Sequence, residues 1–189
     1  MRHRPALLAL ALAASAAGAE PRRYVLDPEH AFVHFEVRHF GTSTLRGRFG
    51  PISGDVTLDR EARRGEVGLR VPTAGIFTGV PVLDARLRAA DMLDSAGSPE
   101  AFFVARDFRF QGDALASVNG EFTLRGVSQP LELKALRWAC RDDAARAAQV
   151  CGGDFEGQIL RSAFGITYGL PFIADRVRLM VAVEGVLTR

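Results

Sequence analysis

Alternation of apolar and polar residues with period two recurs along most of this 189-residue chain. A chain so patterned must build half-buried strands whose two faces differ. Val177, Leu179, Val181 and Val183 lie on one face against Arg176, Arg178 and Glu184, and Ala31, Val33, Phe35 and Val37 repeat the pattern against His34, Glu36 and Arg38. The same alternation runs through Ile52 to Leu58, Val67 to Val71, Phe102 to Phe110, Val118 to Leu124 and Leu131 to Leu133. Beyond Leu133 the apolar set continues at Leu136 and Trp138, one position out of step, as a β-bulge would leave it. With short stretches at Leu45 to Phe49 and Phe155 to Arg161, about eight or nine strands follow one another at hairpin spacing.

One segment breaks the rhythm. Leu83, Leu87, Ala90, Met92 and Leu93 recur at helical spacing, and the turn residues from Asp94 to Pro99 stop the pattern. The expected fold class is therefore all-β: an antiparallel eight-stranded β-barrel with one inserted helix near 83–93. Closure is favoured over a two-sheet sandwich because it leaves no strand edge exposed. Small residues at inward-reading positions, Ala31, Gly54 and Gly120, would leave space inside.

The first residues have the anatomy of a Sec-type signal peptide. Met1 to Arg4 is basic, Ala6 to Ala17 is apolar and Ala17-Gly18-Ala19 is a small-x-small cleavage site. Removal of residues 1–19 would leave one domain over 20–189. The apolar run is shorter than the roughly 20 residues a membrane-spanning helix needs, so no stable membrane insertion is expected. Losing Arg2 and Arg4 takes the formal charge from +2 to near zero, which argues against nucleic acid or an anionic membrane face as partner. Export to an oxidising periplasm makes a disulfide between Cys140 and Cys151 the natural state, and the pair lacks the C-x-x-C spacing of a redox centre.

Catalytic and metal signatures are missing from the sequence. His34 and His39 fall on opposite faces of one strand. His30 and His34 share a face but stand about 13 Å apart at strand rise, too far for two ligands of one ion. There is no H-E-x-x-H and no G-x-S-x-G, so neither a metal nor an organic cofactor is expected. An enzyme built here would have to draw on Ser162, Asp84 or His34.

Several stretches, in order, carry a likeness to a known family: Y-V-L-D-P-E-H at 24–30, F-E-V-R-H-F-G at 35–41, G-R-F-G-P-I-S-G-D-V at 47–56, L-D-A-R-L at 83–87, D-M-L-D at 91–94, P-E-A-F-F at 99–103, N-G-E-F-T-L-R-G-V-S-Q-P-L-E-L at 119–133 and R-S-A-F-G-I at 161–166. Together they resemble the YceI family of periplasmic polyisoprenoid-binding proteins, whose fold is an extended lipocalin-like barrel. The chain departs from the family at Ala31, Arg86 and Ala163, each of which changes a polar group at a motif position. The resemblance implies a binding protein that holds a long-chain isoprenoid lipid or isoprenoid quinone in an apolar barrel cavity, without catalysis. Phe35, Val37, Val56, Leu69, Phe103, Phe122, Leu124, Leu179 and Val181 would then line the tunnel, and Arg86 and Arg161 would meet the head group. Two other readings stay open, an enzyme acting on such a lipid and an interaction partner of a membrane redox protein. A homodimer is also left open.

Overall fold

The computed structural model describes residues 20–188, and the signal peptide expected over residues 1–19 lies outside them. The strands in chain order are β1 (Arg22–Leu26), β2 (Phe32–His39), β3 (Ser43–Phe49), β4 (Ser53–Asp59) and β5 (Arg64–Pro72); after helix α1 (Pro81–Leu87) come β6 (Glu100–Gln111), β7 (Ala114–Leu124), β8 (Val127–Asp143), β9 (Ala148–Leu160) and β10 (Ile173–Leu187). Strands β1, β4, β5, β6, β7, β8, β9 and β10 pair in that order, and β10 returns to β1. Every pairing is antiparallel. The result is the closed eight-stranded antiparallel barrel that the alternation predicts.

The long strand β10 divides one edge between two partners. Its end, Gly185 to Leu187, pairs with β1, while Ile173 to Ala182 pairs with β2, which in turn carries β3. The barrel is thus sealed at the β1 end. At the other end the β2–β3 hairpin extends the wall, and its outer edge meets the segment before α1 through an isolated bridge between Arg48 and Phe77.

The helix is shorter than its periodicity suggests. Pro81 sits in its first turn, where its missing N–H costs nothing, and the buried Asp84 carboxylate fastens that turn by accepting from the Thr78 backbone N–H at 2.8 Å and its hydroxyl at 2.6 Å. Beyond Leu87 the chain continues in turns, with the Leu93 N–H donating back to the Leu87 carbonyl at 3.0 Å. Met92 and Leu93 reach the interior all the same, so the helical spacing reports a shared inner face rather than a continuous helix.

The phase slip in β8 is a bulge: its register against β9 breaks between Ala135 and Arg137. Leu136 sits at the break with its side chain exposed and does not continue the inward set, whereas Trp138 turns back against the core. The small residues have a different use from the one expected. A Cβ at Gly54 would strike the Gly68 carbonyl oxygen, and one at Gly120 the Val104 carbonyl oxygen. Both positions serve close approach of neighbouring strands, and neither they nor Ala31 borders the internal space described below.

Cys140 and Cys151 stand opposite one another on β8 and β9 and are disulfide-bonded. Outside the wall, Arg46, Glu36, Arg178 and Glu156 form a charge ladder across β3, β2, β10 and β9, with N···O distances of 2.7, 3.1 and 2.7 Å. Arg46 and Arg178 hold Glu36 below the ordinary carboxylate range, and Arg178 does the same to Glu156.

Two outcomes follow from these contacts. Replacing both cysteines with serine should lower unfolding free energy by about 3 kcal/mol, the chain-entropy value for a loop of this order, measured by urea unfolding. The ladder carboxylates have depressed folded values, so their contribution is complete above the unfolded value of about 4.3 and is lost as pH falls through the folded value. The urea midpoint should therefore be flat from neutrality to about pH 5 and drop below about pH 4, and Arg178→Gln should flatten that drop.

Candidate functional site

The inward residues line a cavity of about 450 Å³ toward the open end of the barrel. Ordinary cores hold few voids larger than a water molecule, so a hollow of this size is a feature of the architecture. Its wall takes Val33, Phe35 and Val37 from β2, Leu69 and Val71 from β5, Ala101 and Phe103 from β6, Phe122 and Leu124 from β7, Leu131 and Leu133 from β8 and Val177, Leu179 and Val181 from β10. Period two explains the set, since alternate residues of each strand face inward.

Of the residues expected along the tunnel, Phe35, Val37, Leu69, Phe103, Phe122, Leu124, Leu179 and Val181 border this cavity. Val56 does not. It borders a second hollow of about 70 Å³ nearer the sealed end. Leu69, Phe103, Leu133 and Val181 border both spaces and form the partition between them. Val33, Leu131 and Leu133 carry the inward parity too and were legible in the sequence, whereas Ile166 and Tyr168, on the β9–β10 connection, were not, because that loop has no period, and Ile173 stands at the start of β10 before its register shift.

Polar groups gather at the mouth. His39, Ser43 and Thr44 come from the β2–β3 hairpin, Tyr168 from the β9–β10 connection and Arg86 from α1. The two arginines proposed for a head group differ sharply. Arg86 makes a bidentate ion pair with Asp91, both N–H···O distances being 2.6 Å, and its guanidinium carbon lies 4.2 Å from the Tyr168 ring centre. Asp91 raises the pKa of Arg86 and is itself held low by it.

Arg161 is buried and donates to four backbone carbonyls: Ala174 from Nε at 3.0 Å, Ile166 and Tyr168 from Nη1 at 2.9 and 2.8 Å, and Ile173 from Nη2 at 2.8 Å. A guanidinium has five N–H donors, so one remains for anything in the cavity. Burial pulls the Arg161 pKa down against the opposing charge of Asp175. Burial also works to raise Asp175, but two hydrogen bonds from Ser162, at 2.8 Å from N–H and 2.6 Å from the hydroxyl, leave it below its ordinary value.

Ser162, Asp84 and His34 are not brought together. The Ser162 hydroxyl is bound to Asp175, Asp84 is occupied by Thr78, and His34 is exposed on the outer face of β2. Among the described residues no cluster of three or more His, Cys, Asp or Glu is placed to hold a metal ion.

A closed antiparallel wall around a largely apolar hollow, with most of its polar groups toward one rim, defines a small-ligand-binding β-barrel. The family model for the YceI-like domain matches residues 24–185, and the chain belongs to that family. It is 34% identical over 175 residues to protein YceI of Escherichia coli O157:H7, covering 91% of each chain. To protein YceI of Salmonella arizonae it is 34% identical over 166 residues, 86% of each. Among solved structures, Burkholderia cenocepacia BcnA superposes with a TM-score of 0.69 at 20% identity, covering 84% of this chain and 98% of that one. A polyisoprenoid-binding domain from Saccharophagus degradans gives 0.63 at 16% identity, covering 87% and 98%.

Arg161→Met should orphan several buried carbonyls and cost roughly 3 kcal/mol or more of stability. Calorimetry should register a large fall in the unfolding midpoint, and Arg161→Lys, with three donors from one nitrogen, should not restore it. An Arg161 engaged chiefly with ligand would leave the midpoint of the ligand-free protein unchanged.

Proposed function

We propose that this protein is exported to the periplasm and holds a long-chain isoprenoid lipid or isoprenoid quinone in its barrel, as a carrier or store that performs no chemistry on it. The observation that carries this is the cavity itself, about 450 Å³ walled mainly by aliphatic and aromatic side chains, with most of its polar groups gathered at its mouth. Each buried CH₂ of a tail contributes about 0.8 kcal/mol, so a few isoprene units outweigh the cost of ordering a flexible chain. The likeness to the polyisoprenoid-binding domain from Saccharophagus degradans supports the same class of ligand.

The head group would meet His39, Ser43, Thr44, Tyr168 and Arg86. Arg86 is the better placed of the two arginines, because it can exchange Asp91 for a ligand phosphate or carbonyl while Arg161 is committed to the backbone. The Ser162 hydroxyl is given to the Asp175 carboxylate at 2.6 Å, which supports binding over hydrolysis. The partition residues Leu69, Phe103, Leu133 and Val181 would set how far a tail can reach toward the sealed end.

Protein isolated from a bacterial periplasm and extracted into organic solvent should yield a prenyl lipid or quinone by mass spectrometry; a small polar species in its place would end this reading. Added at about a hundredfold over Kd, such a ligand should raise the unfolding midpoint by roughly 5–10 °C. Leu179→Trp, which puts an indole into the middle of the hollow, should weaken binding at least about tenfold, a loss of about 1.4 kcal/mol, by fluorescence titration.

A further inference from the structure

We infer that the open end of the barrel is a docking face for a lipid bilayer, onto which the protein settles with its cavity mouth against the membrane. This rests on the isoprenoid reading above, and it deepens that reading by naming the surface from which the ligand is drawn.

The charge pattern is the first observation. Residues 39–45, 71–83 and 163–174 contain no Asp, Glu, Lys or Arg, in a chain where 24% of residues are of those types. The fold brings all three stretches to the mouth, as the β2–β3 turn, the approach to α1 and the β9–β10 connection. The turns at the sealed end are the opposite in character, with Asp59 to Arg64 and Asp142 to Arg146 dense in charge. The molecule therefore has one apolar pole and one charged pole.

The apolar pole is exposed and braced. Phe40, Val82, Tyr168 and Phe172 have relative accessibilities of 58, 78, 55 and 63%. Phe40 and Phe172 stack with ring centres 5.7 Å apart, and the Phe40 N–H donates to the Phe172 carbonyl at 2.7 Å. Arg86 over Tyr168 ties the same connection to α1 on its other side. Phe40 is also in an unfavourable place for its own turn. It and Gly41 have φ of 52° and 68°, a left-handed pair for which Asn-Gly is the natural sequence. A phenylalanine there gives up turn stability for an exposed ring.

A bilayer is the occupant that fits. This face contains the cavity opening, so a protein or a second copy seated on it would seal the mouth, whereas an apolar tail can pass from a membrane straight into the barrel. Aromatic side chains favour the boundary between head groups and acyl chains. Charges bordering the rim are mixed, Arg38, Arg88 and Arg125 beside Asp91, Asp94 and Glu100, so apolar insertion drives the contact and anionic lipid is not required. No helix among the described residues is long and apolar enough to span the membrane, which suits reversible seating.

The test uses the mature, oxidised protein with vesicles of phosphatidylethanolamine and phosphatidylglycerol, and with vesicles of phosphatidylcholine alone. Three quantities are read: co-flotation, transfer of a fluorescent prenyl lipid from vesicles, and affinity for farnesol in vesicle-free solution. Both vesicle types should bind the protein with little dependence on salt. Phe40→Asn with Phe172→Ser should cut co-flotation and transfer at least about tenfold and leave farnesol affinity unchanged; Phe40→Asn alone should raise the unfolding midpoint. Leu136→Ser, on the exposed bulge of the wall, should change none of these. Wild-type protein that fails to float, a double variant that transfers at the wild-type rate, or a wild-type dimer that the double variant abolishes in place of flotation would each overturn the inference. Flotation without farnesol binding would uphold the docking face and sink the isoprenoid reading.

Discussion

The structure depends on the way β10 completes the hydrogen-bond ladder. A sheet with two free edges would twist, collapse on itself or recruit another chain, and its apolar inner face would be buried by closing the gap. Here β10 pairs along one edge with β9 and shares the other between β1 and β2. Closure through β1 satisfies the backbone at one end, and the extra hairpin lengthens the wall at the other. The hollow persists because the wall is held by backbone hydrogen bonds that do not need the interior to be filled.

The mouth is held by a different device. Arg161 sits where β9 ends and uses its guanidinium as a template for the returning chain, gathering carbonyls of Ile166, Tyr168, Ile173 and Ala174. The β9–β10 connection and the irregular start of β10 would otherwise leave those acceptors buried and unpaired. The same side chain borders the cavity, which is why its motif can be read as a ligand contact. Four of its five donors are nonetheless spent on the backbone, whereas Arg86 on the facing helix is held by the Asp91 carboxylate and the Tyr168 ring, with no backbone carbonyl among those partners. Buried Asp84 plays the matching part on that side, tying α1 to Thr78.

Net charge concealed the polarity of the molecule. A formal charge close to zero gives no hint of an uncharged pole, yet the uncharged segments are distant in sequence and meet only where β2, α1 and β10 share an end of the barrel. The wall arginines, by contrast, are mostly spent on cross-strand carboxylates such as Glu36, Glu156 and Glu66, so they add rigidity and solubility to the sides.

What the sequence determined by itself was everything governed by local period and pairing: strands from alternation, the inward set from parity, the bulge in β8 from a slip of phase, and the bond between two cysteines across a short connection. These are legible because each depends on neighbours one or two residues apart, or on one nearby turn. Tertiary structure alone decided the rest. Gly54 and Gly120 answer to backbone oxygens on adjoining strands, Val56 lies below the partition formed by Leu69, Phe103, Leu133 and Val181, and Met92 and Leu93 turn inward without a helix to carry them. Each of these turns on which strands become neighbours and where the wall closes, a matter of contacts across the whole chain that no local pattern encodes.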